Sequence, residues 1–328
     1  MSTVLSVRRL VAAAAIGGGS IGALGMAGFG VLKAEARLAR RWIGQPFGLQ
    51  GPDASGTVGD GPGTPIEFAV IGDSSAVGLG ADHPNDTPGA VIAHGLAALS
   101  GRPVRITVVA VIGAESSHLG EQVDRLFAER DRIDLAMIMV GANDVTHRVK
   151  SSAAAASLGD VVRRLSERDI EVVVGTCPDL GTVEPLAQPL RWFARRLSRH
   201  LAAAQTIAVV EAGGRTVSLG DLMAAEFQAR PREMFSSDRF HPSSAGYARA
   251  GAALLPSMAE ALGLVLPQTA PPDLALGEGV DDVAHAAVRA ARTAGTEVTG
   301  VQVAGSERGP RGRWTMLRRQ PSAPVRQA

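Results

Sequence analysis

From residue 66 onward the chain alternates between short apolar runs and longer stretches with helical spacing. Residues 66–72 (IEFAVIG) are apolar and partly β-branched, which predicts a buried strand. Residues 88–101 carry apolar side chains at helical spacing and end on a glycine, the usual mark of a helix C-terminus. The same pairing then recurs. A strand is predicted at 104–113 and a helix at 116–130, with Leu119, Val123, Leu126 and Phe127 on one face. The run 133–141 is apolar almost throughout, as expected of a strand covered on both faces. A helix at 153–168, a strand at 170–180, a helix at 190–204, a strand at 206–214 and a closing helix at 243–263 complete the series. Five buried strands separated by helices predict a parallel sheet with helices on both faces, because parallel strands need crossover connections. In such a sheet, ligands sit beyond the carboxyl ends of the strands. No internal repeat is visible.

The flanks break this rhythm. Residues 51–65 and the stretch after 266 are rich in Gly and Pro and read as linkers. The expected division is a basic N-terminus (1–9), a hydrophobic signal or membrane anchor (10–32), a basic and Gly/Pro-rich linker (33–65), one α/β domain (66–266) and a C-terminal region (267–328). That last region joins a linker, a short helix at 280–295 and a tail with six arginines against one glutamate, expected to be disordered. The stretch 10–32 is uncharged and follows Arg8 and Arg9. It meets the roughly 20 apolar residues a bilayer span needs and exceeds the roughly 7–15 of a signal-peptide core. A small-x-small cleavage site is offered by Ala34-Glu35-Ala36. Lys33, Arg37, Arg40 and Arg41 follow the uncharged stretch, and a literal positive-inside reading would hold the domain in the cytoplasm. The position at the extreme N-terminus favours export, with the segment cleaved or kept as an anchor. The expectation is therefore a protein of the cell envelope, membrane-anchored or secreted.

Composition excludes more than it selects. The length of 328 residues and 45% hydrophobic content suit a sizeable core. A formal net charge of +1 provides no global field for nucleic acid, and no nucleic-acid partner is expected. The single cysteine, Cys177, rules out an internal disulfide and a Cys-based metal site, and reads as a small buried hydrophobe. His94, His118, His200 and His285 lack a carboxylate or second histidine at metal-ligand spacing, so neither metal nor cofactor is expected. His83 and His147 read as loop or rim residues.

The chemistry concentrates at predicted strand ends. Ser74 follows the first strand in GDSSAVGLG. No lysine completes a phosphate-binding loop, the dinucleotide fingerprint is absent, and Ala76 stands where a nucleophile elbow needs glycine. A lone Gly-Asp-Ser is as compatible with a turn as with a nucleophile. Asn143, in MVGANDV, lies at the same sheet edge, where its amide serves either an Asx turn or an oxyanion. Gly113 leaves the second strand with no side chain to block approach to its N–H. Asp238 and His241, three residues apart before the last helix, have the spacing of a carboxylate that orients an imidazole base. Ser243 or Ser244 is placed to cap that helix. Asp73 is expected to support its turn locally.

These four blocks, GDSSAVG at Ser74, the glycine at Gly113, GAND at 141–144 and DRFH at 238–241, resemble the SGNH (GDSL) hydrolase family over residues 66–262. The layout with a hydrophobic N-terminal segment is similar to exported actinobacterial esterases of that kind. The second block departs in one respect: VVAVIG has no asparagine ahead of its glycine, where the family often has one. The resemblance implies a flavodoxin-like three-layer α/β/α sandwich around a five-stranded parallel sheet, and a serine hydrolase. It further implies Ser74 as nucleophile, His241 as base, Asp238 as its partner, and an oxyanion hole of the Ser74 and Gly113 N–H groups with the Asn143 amide. The expected function is hydrolysis of short- to medium-chain acyl esters from small-molecule, lipid or glycan substrates, with membrane association through 10–32. An acyltransferase or carbohydrate acetylesterase of the same fold, and a non-catalytic envelope binding module, remain open alternatives.

Overall fold

The computed structural model describes residues 51–220 and 226–264, with short pieces at 34–38, 41–44, 46–48, 297–298, 302–303 and 306–307. The stretch 10–32, the helix expected at 280–295 and most of the Arg-rich tail lie outside the described residues. Among the described residues no helix is long and apolar enough to cross a membrane.

The strands are β1 (Gly56–Val58), β2 (Ile66–Gly72), β3 (Val104–Val108), β4 (Leu135–Met139), β5 (Glu171–Gly175) and β6 (Arg215–Val217). The parallel part of the sheet runs β3-β2-β4-β5-β6. The chain steps from β2 to one side and then returns to the other, so β2 and β4 flank the switch point where ligands gather in doubly wound sheets. One edge is closed by β1, antiparallel to β3; the other by β7 (Glu297–Val298), antiparallel to β6.

Helices α1 (Ser74–Val77), α2 (Pro88–Ser100), α3 (Leu119–Glu129), α4 (Ala142–Thr146), α5 (Ser151–Ser166), α6 (Leu190–Glu211), α7 (Pro231–Met234) and α8 (Ser244–Ala261) fill the connections. Strand alternation divides the core in two. Phe68, Val70, Ile106, Leu135 and Met137 face α2 and α8, where Ile92, Leu96, Leu254 and Met258 close one layer. Ala69, Ile71, Ala136, Ile138 and Val174 face the other way, onto Leu119, Val123, Leu158, Val162 and Val209 of α3, α5 and α6. The result is three layers, helix on sheet on helix.

Two expectations are corrected. The strand predicted at 206–214 is the second half of α6, which continues to Glu211. Its buried positions, Gln205, Thr206, Val209 and Val210, repeat at helical spacing and pack toward α5. The β-branched composition of that run suggested a strand, but its period is that of a helix. The fifth parallel strand is β6, only three residues long, which begins after Gly213 and Gly214. In addition, the stretch 51–65 is not wholly linker, because β1 extends the sheet there.

Candidate active site

The nucleophile candidate is set by a change of structure at the end of β2. Asp73 has extended dihedrals and caps α1, its Oδ1 accepting from Ser75 N at 2.8 Å. Ser74 is therefore the first helical residue, buried but for its hydroxyl edge. Asp73 N donates to Met139 O at 3.0 Å, which fixes the β2 end against β4. Asp73 thus supports its turn, as its position beside Ser74 suggests.

Its carboxyl is fully buried, and that burial raises the pKa from 3.8 to about 6, against the opposing pull of Ser75, His241 and Gly141. A raised carboxyl pKa means the folded state holds the proton more tightly. The associated stability is complete below the unfolded value near 3.8 and is lost as pH rises through 6. Asparagine keeps the cap without the charge. We expect the stability of Asp73→Asn relative to wild type, from urea unfolding, to improve by about 2 kcal/mol between pH 4 and pH 7.

The base candidate comes from a curled loop before α8. Arg239 adopts φ 57, a left-handed conformation that costs a non-glycine residue about 1 kcal/mol. This curl turns the N–H groups of Phe240 and His241 onto Asp238 Oδ1, at 2.8 and 2.9 Å, and Ser236 Oγ donates to the same oxygen at 2.9 Å. Asp238 Oδ2 is left for His241 Nδ1, at 2.6 Å. Burial pushes the Asp238 carboxyl up, but the bonds from His241 and the backbone outweigh it and hold the pKa below 3.8. On its other side His241 Nε2 lies 2.9 Å from Ser74 Oγ. Ser74, His241 and Asp238, separated by up to 167 residues in the chain, form one hydrogen-bonded line.

Two contacts seat these loops together. Gly80, at φ 102, is where the Ser74 loop meets the His241 loop; a Cβ there would lie 2.7 Å from Pro242 O. Tyr247, fully buried on α8, donates its hydroxyl to Leu79 O at 2.8 Å. Ser243 caps α8 by accepting from Gly246 N.

Gly113 is the third residue of the turn Val111–Ala114, closed by Ala114 N to Val111 O at 3.1 Å. Its φ of 81 suits glycine in that position of a type II turn. Val111 N donates to Gly72 O at 3.0 Å, so the turn hangs directly from the end of β2. Asn143 lies in α4 beyond β4, and its Nδ2 donates to Ala114 O at 3.0 Å, leaving a second amide hydrogen.

The sequence did not single out the residues that hold this arrangement. Asp144, buried beside Asn143, accepts from Ser116 N and from Ser116 Oγ at 2.9 Å, locking α4 to the Gly113 loop. Gln122 of α3 bridges Gly72 with both ends of its amide, at 2.8 and 2.9 Å. Gln205 of α6 does the same for two strands, receiving Cys177 N at 2.8 Å and donating to Val140 O at 3.0 Å. Both glutamines sit on helices among apolar neighbours, and that mismatch was the available signal. His147 takes a rim position, with Nδ1 2.8 Å from Glu115 Oε1. His83 and His94 are exposed, and Cys177 is a buried free thiol.

A cavity of about 40 Å³ lies beside Asp73 and His241, walled mainly by apolar groups including Met139, Leu180, Leu219 and Phe240. Phe240 meets the His241 ring edge-on at 4.9 Å. Among the described residues no group of three His, Cys, Asp or Glu is placed to hold a metal ion.

A sequence profile of the GDSL-like lipase/acylhydrolase family matches residues 70–249, more than half of the chain. The chain is 44% identical over 197 residues to the GDSL-like esterase Rv1075c of Mycobacterium tuberculosis, a match that covers 60% of this chain and 63% of that protein. It thus spans less than two thirds of this relative. In outline it is similar to an extracellular lipase from Streptomyces rimosus, at 16% identity and a TM-score of 0.46 over 59% of this chain and 99% of the other. It is also similar to a catalytic mutant of the acetylxylan esterase Axe2 from Geobacillus stearothermophilus, at 18% identity and a TM-score of 0.45 over 65% of this chain and 100% of the other.

Proposed function

The chain belongs to the GDSL-like lipase/acylhydrolase family, and on that premise we propose that it is a serine ester hydrolase acting on short- to medium-chain acyl esters through an acyl-serine intermediate. The observation that carries this reading is the unbroken line from Asp238 Oδ2 through His241 to Ser74 Oγ, with links of 2.6 and 2.9 Å. Ser74 Oγ attacks the ester carbonyl carbon while His241 Nε2 takes its proton. Asp238 holds the tautomer in which Nε2 is free to accept, and stabilises the imidazolium that follows. The carbonyl oxygen becomes an oxyanion that accepts from the N–H groups of Ser74 and Gly113 and from the Asn143 amide. The C–O bond to the alcohol breaks, and His241 returns its proton to the leaving oxygen. Water then attacks the acyl-serine, with His241 again as base, and the acid leaves from Ser74.

The acyl length is inferred from the small apolar cavity beside His241, which is lined by Asp73 and Ser75 on either side of Ser74 and not by Ser74 itself. A group the size of water needs roughly 10–15 Å³, so about 40 Å³ favours a chain of a few carbons. A p-nitrophenyl ester series from acetate to palmitate tests this: turnover is expected to be highest at the short end, and a maximum at palmitate would overturn the length assignment. Labelling of Ser74 by a fluorophosphonate tests the reaction class. A non-catalytic module would not label.

Asn143→Ala removes one oxyanion donor and the bond to Ala114 O. We expect kcat to fall about 10²–10³-fold, with KM and the thermal midpoint little changed. A drop in the midpoint without a selective loss of kcat would assign Asn143 to loop structure instead.

The same proposal places the domain at the cell envelope. Its support is the uncharged stretch 10–32 behind two arginines. Cell fractionation with sequencing of the mature N-terminus tests it.

A further inference from the structure

Helix α6 is amphipathic in an unusual sense. Its inner face carries Ala194, Ser198, Leu201 and Gln205, all buried. Its outer face carries Trp192, Phe193 and Leu197, which are 50%, 39% and 45% exposed. With Arg196 and His200, these residues recur at i, i+1, i+4, i+5 and i+8, which is a single stripe along the helix. Trp192 and Phe193 stack edge-to-face at 4.9 Å, and the Arg196 guanidinium lies 5.7 Å from the Trp192 ring centre. The largest apolar groups of this helix thus face outward, beside a cation.

The chain before the domain leads to this face. Leu190 N, at the start of α6, donates to Glu35 Oε2 at 3.0 Å. The uncharged stretch ends at residue 32, three residues before Glu35. Three extended residues span at most about 11 Å. Trp192 and Leu197 lie two and seven residues beyond Leu190, or about 3 and 10 Å along the helix axis. Whichever bilayer receives residues 10–32, the outer face of α6 is held close to its surface. Leu38 and Trp42, on the short helical pieces after Glu35, are also largely exposed.

Charge points the same way. Residues 190–200 contain Arg191, Arg195, Arg196 and Arg199 and no acid; residues 33–43 contain Lys33, Arg37, Arg40 and Arg41 against Glu35. Arg195 and Arg199 turn inward to Asp179, and Arg191 binds the carbonyls of Glu184 and Leu186. Arg196 remains on the outer stripe. Aromatic rings and an arginine on one helix face, beside an uncharged stretch long enough to span a bilayer, fit an interfacial surface on anionic lipid.

We propose that the outer face of α6 docks on an anionic phospholipid bilayer, with Trp192, Phe193 and Leu197 inserted at headgroup level and the helix lying along the membrane plane. The inner face of the same helix places Ala194 in the cluster of Leu180, Val183 and Phe235 against which Phe240, the neighbour of His241, packs. Only one helix thickness, about 10 Å, then separates the lipid surface from the wall of the cavity. The docking stands apart from the esterase reading and extends it: an ester dissolved in the bilayer is presented beside the site.

The test uses the full chain carrying Trp42→Phe and Trp314→Phe, so that Trp192 is the remaining tryptophan. The protein is reconstituted into vesicles of mixed phosphatidylglycerol and phosphatidylcholine with brominated acyl chains. Trp192 emission is expected to fall at least twofold relative to unbrominated vesicles and to resist aqueous acrylamide. Quenching by acrylamide and not by bromine would put the face in water and overturn the proposal. Protection from both would mean that protein covers it, a second copy if protection is lost on dilution and another segment of this chain if it is not, and would overturn it equally. A second measurement compares Phe193→Glu/Leu197→Glu with wild type. Hydrolysis of an ester embedded in the vesicles is expected to fall about tenfold, while hydrolysis of soluble p-nitrophenyl acetate, which also reports correct folding, stays unchanged. Equal loss or no loss on both substrates counts against docking. Absence of any ester turnover by the wild type would remove the esterase reading and leave the quenching result standing.

Discussion

Ser74→Ala is expected to lower kcat on p-nitrophenyl acetate by about 10⁶-fold, and to leave the unfolding midpoint close to that of the wild type. The hydroxyl is the one group in the site that accepts from or donates to His241 Nε2 while standing at the switch point between β2 and β4. Removing it takes away the bond-forming atom. His241 remains bonded to Asp238, and α1 keeps its cap from Asp73, so the fold is hardly touched. A residual rate of about 10³ over water is expected from oxyanion stabilisation and binding alone. The double variant Ser74→Ala/His241→Ala is expected to be no slower than either single one, because the two side chains act as a unit. Stopped assays with active-site titration exclude wild-type contamination. A loss smaller than 100-fold would remove Ser74 from the reaction.

Asp238→Asn is expected to have the second large effect, a fall of about 10⁴-fold in kcat. Oδ1 accepts three hydrogen bonds, from Ser236 Oγ, Phe240 N and His241 N. An asparagine oxygen in that place preserves the loop. Its NH₂ then faces His241 Nδ1, where the wild type presents an acceptor at 2.6 Å. Nδ1 must give up its proton, Nε2 carries one, and the imidazole no longer accepts from Ser74. A structural role alone would lower stability; the tautomer role lowers kcat with stability retained. A ¹⁵N spectrum of the imidazole reports the exchanged tautomer directly. The pH dependence has a definite sign. The Asp238 pKa is depressed below 3.8 in the folded protein, so its contribution to stability is present above the unfolded value and lost as pH falls through the folded one. Asp73 behaves in the opposite direction, its slope running from 3.8 to about 6, so the two adjoin at the unfolded value of 3.8.

Much of this site could be read from the chain because its chemistry is local. Asp238 reaches His241 within one turn of loop, and Ser74 and Asn143 each follow an apolar run that is unmistakably a strand. The parts that escaped act over distance. Asp144 clasps Ser116, 28 residues away, and Gln122 clasps Gly72, 50 residues away. A glutamine among the apolar positions of a helix hints at burial, but only the packing reveals which peptide groups it clasps. The misplaced fifth strand has a different origin. Thr206–Val210 has the composition of a strand and the burial period of a helix. The true strand, Arg215–Val217, is three residues long and opens on an arginine, itself buried 3.7 Å from Glu260. Neither length nor polarity marks it in one sequence.

The two glutamine bridges have a consequence for the proposed reaction. A continuous sheet offers no gap for a reactant, and a gap ordinarily strands peptide groups without partners. Here the carboxamides of Gln122 and Gln205 supply partners to Gly72, Val140 and Cys177 at and just past the strand ends. The peptide groups of Gly72, Val140 and Cys177 therefore have partners before substrate arrives. Dipoles held in this way need no reorientation as negative charge grows, which is where a solvent-like environment would spend its free energy.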